Sequence, residues 1–278
     1  MRRPFGTEAL DLRGKMQPKQ IRQPDTDIDD RKDDLRELIE SDRGLAQPFW
    51  ERLDLSWVYH ECALEGVVVT PDEMTAAFTT PQGVLEVGKA AFLADIRRQR
   101  QAIDLAKEEA KTPRGKFSLN LAKTLFETLT GGEEGKGRIE YRHDMPLHRT
   151  YFHDIQQPVK ILPELTKLFD YSNAAEFHHL HPLQQAAVFH HRFMSIFPFT
   201  DLSGKVGRLM MNILIMRAGY LPAVIHAIDR QRYYESLKQQ PRVLQMVITE
   251  AIEHATDHGF RWFTQQPPVQ QRSRAKAG

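Results

Sequence analysis

A single cysteine, Cys62, among 278 residues leaves no partner for an internal disulfide and fits a reducing compartment. Long hydrophobic runs are missing too: nothing approaches the ~18 consecutive apolar residues that suggest a membrane span. The N-terminal stretch MRRPFGTEALDLRGKMQPKQ opens with basic residues but lacks the apolar core of a secretory leader. Charge of one sign is equally scarce. Lys and Arg number 38 against 37 Asp and Glu, a net charge of +1, so there is no broad basic field for nucleic acid. Basic clusters such as IRRQRQ from Ile96 alternate with acids and read as a solvated helix face. Strand patterns are confined to residues 67–69 and 138–155. These absences point to a cytoplasmic protein with no membrane and no nucleic-acid partner.

What is present is helical. Hydrophobic residues make up 41% of the chain, enough for one sizeable core. Residues 1–45 read as an N-terminal charged, partly disordered extension, with a short helix expected in DDRKDDLRELIES. Residues 46–264 carry the folded domain, and residues 265–278, QQPPVQQRSRAKAG, lack an apolar face and read as a disordered tail. Within the domain, Leu53 to Leu64 is an apolar-rich helix that stops at Gly66. Thr70-Pro71-x-Glu73 is a helix start, with a threonine cap, proline at the first helical position and an acid two residues on. Val84 to Ala110 is the longest helix, and Leu119 to Leu129 ends at Gly131-Gly132. Two further apolar runs, HPLQQAAVFHHRFMSI from His181 and GRLMMNILIMRAGY from Gly207, have helical spacing, the second stopping at Gly219.

Between those two runs lies FPFTDLSGKVGR, residues 197–208. It brings together a carboxylate (Asp201), a glycine opening a helix (Gly204), Lys205, and Arg208 one turn later. A helix N-terminus offers free amide N–H groups and a positive dipole end, suited to anionic oxygens. Lys205 and Arg208 add positive charge, and Asp201 has the chemistry to hold Mg²⁺ bridging two phosphates. The pattern is that of a nucleotide site. Its first residue, Phe197, is apolar where chemistry would want a base. A tight turn closed by an Asp201–Arg208 pair is the alternative reading of the same residues.

This stretch resembles the active-site loop of the Fic (Fido) family, His-Pro-Phe-x-Asp/Glu-Gly-Asn-Gly-Arg-x-x-Arg. Pro198, Phe199, Asp201, Gly204 and Arg208 match, and Lys205 stands in for the first arginine. Leu202 and Ser203 replace Gly-Asn, and Phe197 replaces the histidine. The resemblance continues through HPLQQAAVFHHRF, RLMMNILIMRAGYLP and RQRYYESL from Arg230. It implies an all-α Fic/Fido helical domain with a small β-hairpin flap, and transfer of AMP from ATP, with Mg²⁺, to a hydroxyl of a target protein. By the same resemblance Asp201 would bind Mg²⁺. Ser203, Gly204, Lys205 and Arg208 would bind the phosphates, and Tyr233 and Tyr234 would border the adenine, although core packing accounts equally well for the tyrosines.

Phenylalanine accepts no proton, and losing a general base typically costs ~10²–10⁴-fold in rate. His190, His191 and His226 are expected to lie too far away to replace it. Leu202 resists the positive φ that glycine would adopt, so the amide turn is expected to be reshaped. ECALEG, Glu61 to Gly66, is similar to the family's inhibitory helix motif, Ser/Thr-x-x-x-Glu-Gly/Asn. Glu65 would then reach Arg208 and block the productive ATP pose, while Glu61 departs from the pattern. A glutamate at the surface end of a helix, followed by a glycine cap, is the alternative. Arg138, Ile139, Glu140, Tyr141 and Arg142 fall where the family's flap docks its target by strand addition, and local basic charge there favours acidic segments. The expected function is a Fic-family adenylyltransferase impaired by Phe197, or else a nucleotide- or partner-binding regulator, with a homo-oligomer left open.

Overall fold

A computed structural model describes residues 28–80, 87–112, 115–132, 141–146 and 153–265. The described helices are α1 (Ile28–Ser41), α2 (Arg43–Leu64), α3 (Pro71–Thr79), α4 (Val87–Ala110), α5 (Leu119–Thr130) and α6 (Ile161–Ser172). They continue with α7 (Ala175–His178), α8 (Pro182–Ile196), α9 (Ser203–Arg217), α10 (Arg230–Ser236) and α11 (Pro241–Thr264). Local chemistry sets most of their boundaries. Asp42 accepts a hydrogen bond from the Leu45 amide at the start of α2, and Thr70 and Glu73 close a reciprocal capping box on α3. Ser118 caps α5, which ends on Gly131 at φ 71°. His181 accepts from the Leu183 amide ahead of Pro182 at the start of α8.

The core is organised around α9. Val206, Leu209, Met210, Met211, Ile213 and Ile215 are all fully buried, so this helix is apolar around most of its circumference. It packs most extensively on α8 and α4, with α5 alongside, while α11 and α6 cover the other side of α8. A Cβ at Gly207 would stand 3.0 Å from the His190 ring and from Phe193. A side chain there would have to push the buried His190 and Phe193 rings by a few tenths of an ångström, so glycine eases the close approach of α8 and α9. Beyond α9, Asn212 accepts from the Ala223 amide at 2.7 Å, tying the returning chain to the central helix. A smaller apolar cluster of Leu35, Phe49 and Leu221, with Trp50 and Trp262 at its edge, joins α1, α2 and α11. Residues 28–45, expected within a charged extension, are thus packed on the helical body, and the boundary expected after residue 45 falls inside α2. No helix among the described residues is long and apolar enough to cross a membrane.

The all-helical expectation stands, but the β-hairpin is not seen, and no strand occurs among the described residues. Residues 133–140 and 147–152 lie outside those described, and with them Arg138, Ile139 and Glu140 of the expected flap. Tyr141 and Arg142 run without regular secondary structure. The backbone hydrogen bonds explain why: the Arg142 amide donates to Pro198 O (3.0 Å) and the Gln156 amide to Ser195 O (2.9 Å). These donors serve the C-terminal end of α8 rather than a partner strand. The strand pattern at 67–69 yields to helix termination. Gly66 N–H donates to Ala63 O and Val67 N–H to Cys62 O, with Gly66 at φ 83°, the paired bonds of a Schellman cap.

Candidate functional site

The loop of residues 197–202 joins α8 to α9 and carries the only non-glycine positive φ values among the described residues, Phe197 at 49° and Leu202 at 65°. Each costs ~1–2 kcal/mol for an L-residue, so the surrounding structure must impose them. Arg142 is one constraint. Its buried guanidinium donates to Phe197 O (2.7 Å), Ile196 O (3.2 Å), Asp144 O (3.1 Å) and Gln156 O. Ser203 is the other: its hydroxyl accepts from the Phe199 amide and donates to Phe199 O, both at 2.9 Å. Phe199 is fully buried and stacks on Phe126 at 4.2 Å. Leucine at 202 thus takes the left-handed conformation that its side chain disfavours, between a loop start held by Arg142 and a helix start held by Ser203.

At the start of α9 the amides of Ser203, Gly204 and Lys205 have no intrahelical acceptor; the first such bond runs from Val206 N–H to Leu202 O. Beside this terminus opens a cleft of about 480 Å³, lined by Thr200, Asp201, Leu202 and Lys205, with Cys62, Phe92 and Arg98 opposite. Asp201 is exposed on its rim, and Lys205 is half-buried. The Ser203 side chain is committed to Phe199 and does not enter the cleft. Tyr233 and Tyr234 do not line it either. Both are buried; Tyr234 donates to Leu64 O at 3.3 Å, and the Tyr233 hydroxyl meets His190 Nε2 at 2.8 Å.

Arg208 lies one turn into α9 and is only 1% exposed. It does not pair with Asp201. Its Nη2 reaches Glu65 Oε1 at 2.6 Å, and its Nε donates to Glu61 at 2.9 and 3.1 Å, with Nη2 also 2.9 Å from Glu61 Oε2. Nη1 donates to the Tyr233 hydroxyl at 3.2 Å. Burial opposes the guanidinium charge, but the carboxylate of Glu61, followed by Tyr233 and Glu65, outweighs it and holds the group well above its ordinary pKa. A Cβ at Gly204 would lie 2.9 Å from both Arg208 Nη1 and Glu65 Oε1. Glu65 thus rests a carboxylate oxygen on the side-chain-free surface at the start of α9. The Schellman cap positions it there, since Glu65 is the residue on which α2 ends.

Two of these partners carry little sequence signal. Glu61 departs from the resembled motif, and its only advance indication is the i, i+4 spacing to Glu65, which puts both carboxylates on one face of α2. His190 is fully buried beside Tyr233, and burial, then the charge of Arg208, depresses its pKa to about 3. It is a neutral structural partner. His191 contacts Gln239 O at 2.8 Å, and His226 stacks on His60 at 4.3 Å and lines a separate cavity with His254 and His258.

The Fic/DOC family model matches residues 116–215. Over 244 residues the chain is 26% identical to the protein adenylyltransferase Fic of Nematostella vectensis, an alignment covering 85% of this chain and 55% of that protein. It is 27% identical over 215 residues to the protein of the same name from Drosophila grimshawi, covering 76% and 43% of the two chains. The chain thus spans about half the length of the curated relatives it matches. Among solved structures, a Fic domain containing signaling protein from Bacteroides thetaiotaomicron has the same fold, with a TM-score of 0.70 at 18% identity over 86% of this chain and 99% of that one. The loop at the head of α9 falls inside the segment, residues 116–215, that the Fic/DOC family model matches.

Proposed function

We propose that the N-terminus of α9 is a nucleotide site of the adenylyltransferase type, taking ATP as donor and a protein hydroxyl as acceptor, and that transfer is impaired as the chain stands. The observation that carries this reading is Glu65 Oε1 on the surface of Gly204. An anionic oxygen already rests on Gly204 at the helix terminus, held by Arg208, where a phosphate oxygen would sit. The curated relatives named protein adenylyltransferase support ATP as the donor. Asp201 fits a magnesium ion shared with phosphates. It is one exposed carboxylate on the cleft, and no all-protein cage of three ligands occurs among the described residues. Such an ion would offset phosphate charge; Lys205 and the amides of α9 would orient the chain of phosphates.

The impairment follows from Phe197. A target hydroxyl is a weak nucleophile until a base takes its proton, and a benzyl group takes none. His190 and His191 meet Tyr233 and Gln239 O, His226 lies in a separate cavity, and His153, with its ring 6.1 Å from that of Phe197, is buried with Nε2 on Met194 O. Phe197 also favours a second reading, a cytoplasmic Fic-type regulator that binds nucleotide or a target protein without modifying it. The segment around Tyr141 remains the candidate contact for a target, whereas the side chain of Arg142 is directed inward. The transfer reading requires nucleotide binding, as does the nucleotide-binding form of the second. Calorimetry with ATP and Mg²⁺ on Glu61→Gln/Glu65→Gln is expected to show binding that Asp201→Ala abolishes. Binding that is indifferent to Asp201, or no binding at all, would contradict the nucleotide site.

A further inference from the structure

We propose that Glu61, not Glu65, is the principal holder of Arg208, so that the phosphate subsite at the head of α9 stays shut when Glu65 alone is removed. The inference rests on the nucleotide site proposed above and specifies how that site is closed. Arg208 has five N–H donors in a rigid fork. The Nε–H goes to Glu61, Nη2 is shared between Glu61 and Glu65, and Nη1 serves Tyr233. Deleting Glu65 frees one Nη2 hydrogen and leaves the Glu61 and Tyr233 contacts intact.

Burial separates the two carboxylates further. The Glu61 side chain is 4% exposed and that of Glu65 33%. Water competes with the Glu65 contact and screens it, but it barely reaches Glu61. Glu61 has nowhere else to take its charge, because leaving Arg208 would strand a buried carboxylate. Glu65 sits at the end of α2 and is able to swing into solvent. The pair is therefore unequal: Glu61 sets the position of the guanidinium, and Glu65 covers the helix terminus. Two carboxylates on one guanidinium also leave a net negative charge where phosphates would bind, and removal of Glu65 only brings it to neutrality. In this chain Glu61 is a positioning residue that withholds the arginine from anions.

The test compares Glu65→Gln, Glu61→Gln and the double substitution in the full chain. Proton exchange at Arg208 Nε–H is followed by ¹⁵N NMR, with Arg208→Lys identifying the signal, and ATP affinity is measured in the presence of Mg²⁺. The expected result is an Nε–H exchange rate within about threefold of the parent in Glu65→Gln and at least ~100-fold faster in Glu61→Gln. ATP affinity is expected to stay within about threefold of the parent in Glu65→Gln and to rise at least tenfold in the double variant. The Glu65→Gln protein, altered only at a part-exposed residue, suffices to overturn the proposal: rapid Nε–H exchange there, or ATP affinity equal to that of the double variant, would do so. If the exchange pattern holds while no variant binds ATP, Glu61 remains the holder and the nucleotide reading falls.

Discussion

Replacing Arg142 by alanine would remove the clamp that holds the loop at the end of α8. Three of its bonds, at 2.7, 3.2 and 3.1 Å, run from one buried charge to the carbonyls of Phe197, Ile196 and Asp144, and a fourth goes to Gln156 O. A hydrogen bond from a charged donor contributes ~1.5–3 kcal/mol. Water entering the vacated space would recover part of the sum, so we expect a net loss of ~3–5 kcal/mol. In a chain of this size 1 kcal/mol corresponds to ~2–4 °C in midpoint, so Tm should fall by at least about 6 °C. Arg142→Lys should recover less than half of the loss, because an ammonium lacks the planar fork that meets several carbonyls at once. Urea unfolding and thermal melts of the three proteins provide the measurement. A loss below ~0.5 kcal/mol for Arg142→Ala, together with weakened binding of an acidic target segment, would refute the clamp and return Arg142 to the docking surface.

Two further outcomes follow from the same geometry. The depressed pKa of His190, about 3 against 6.5 for the free side chain, means that the unfolded chain binds a proton the native state refuses. Its contribution is fully present above pH 6.5 and is lost as pH falls toward the folded value, with a slope of ~1.4 kcal/mol per pH unit; stability measured at pH 5 and pH 7 should show that slope diminished in His190→Gln. Asp201→Ala, at an exposed position on the cleft rim, should leave stability within ~0.5 kcal/mol of the parent in urea unfolding, so that its effect on nucleotide binding can be read without a folding correction.

The helices were legible because periodicity and caps are local. Thr70-Pro71-x-Glu73 and Gly131 state their boundaries in a few residues, and the turn between α8 and α9 is marked by Pro198, Asp201 and Gly204 between two apolar runs. Less legible are pairings that depend on distant chain. The strand pattern near Tyr141 is a local signal, but the Arg142 amide donates to Pro198 O, just past the end of α8, and its guanidinium to Phe197 O, 55 residues along the chain. Glu61 is a mismatch in ECALEG because it stands where the resembled motif has Ser or Thr, and the arginine that explains it lies 147 residues on. Nothing in a hexamer distinguishes a glutamate buried against an arginine from one in water. Leu202 shows the reverse limit: its side chain disfavours a positive φ, from which a reshaped turn is expected, yet the residue adopts φ 65°, flanked by the bonds of Ser203 and Arg142.

The central claim is that a nucleotide-transfer site is present and lacks its base. The direct measurement is label transfer from α-phosphate-labelled ATP into protein, comparing the Glu61→Gln/Glu65→Gln chain with the same chain carrying Phe197→His. The account predicts no label above background in the first and clear label in the second, a difference of at least ~10²-fold. Equal labelling with phenylalanine and histidine at position 197, or none with either, would contradict it.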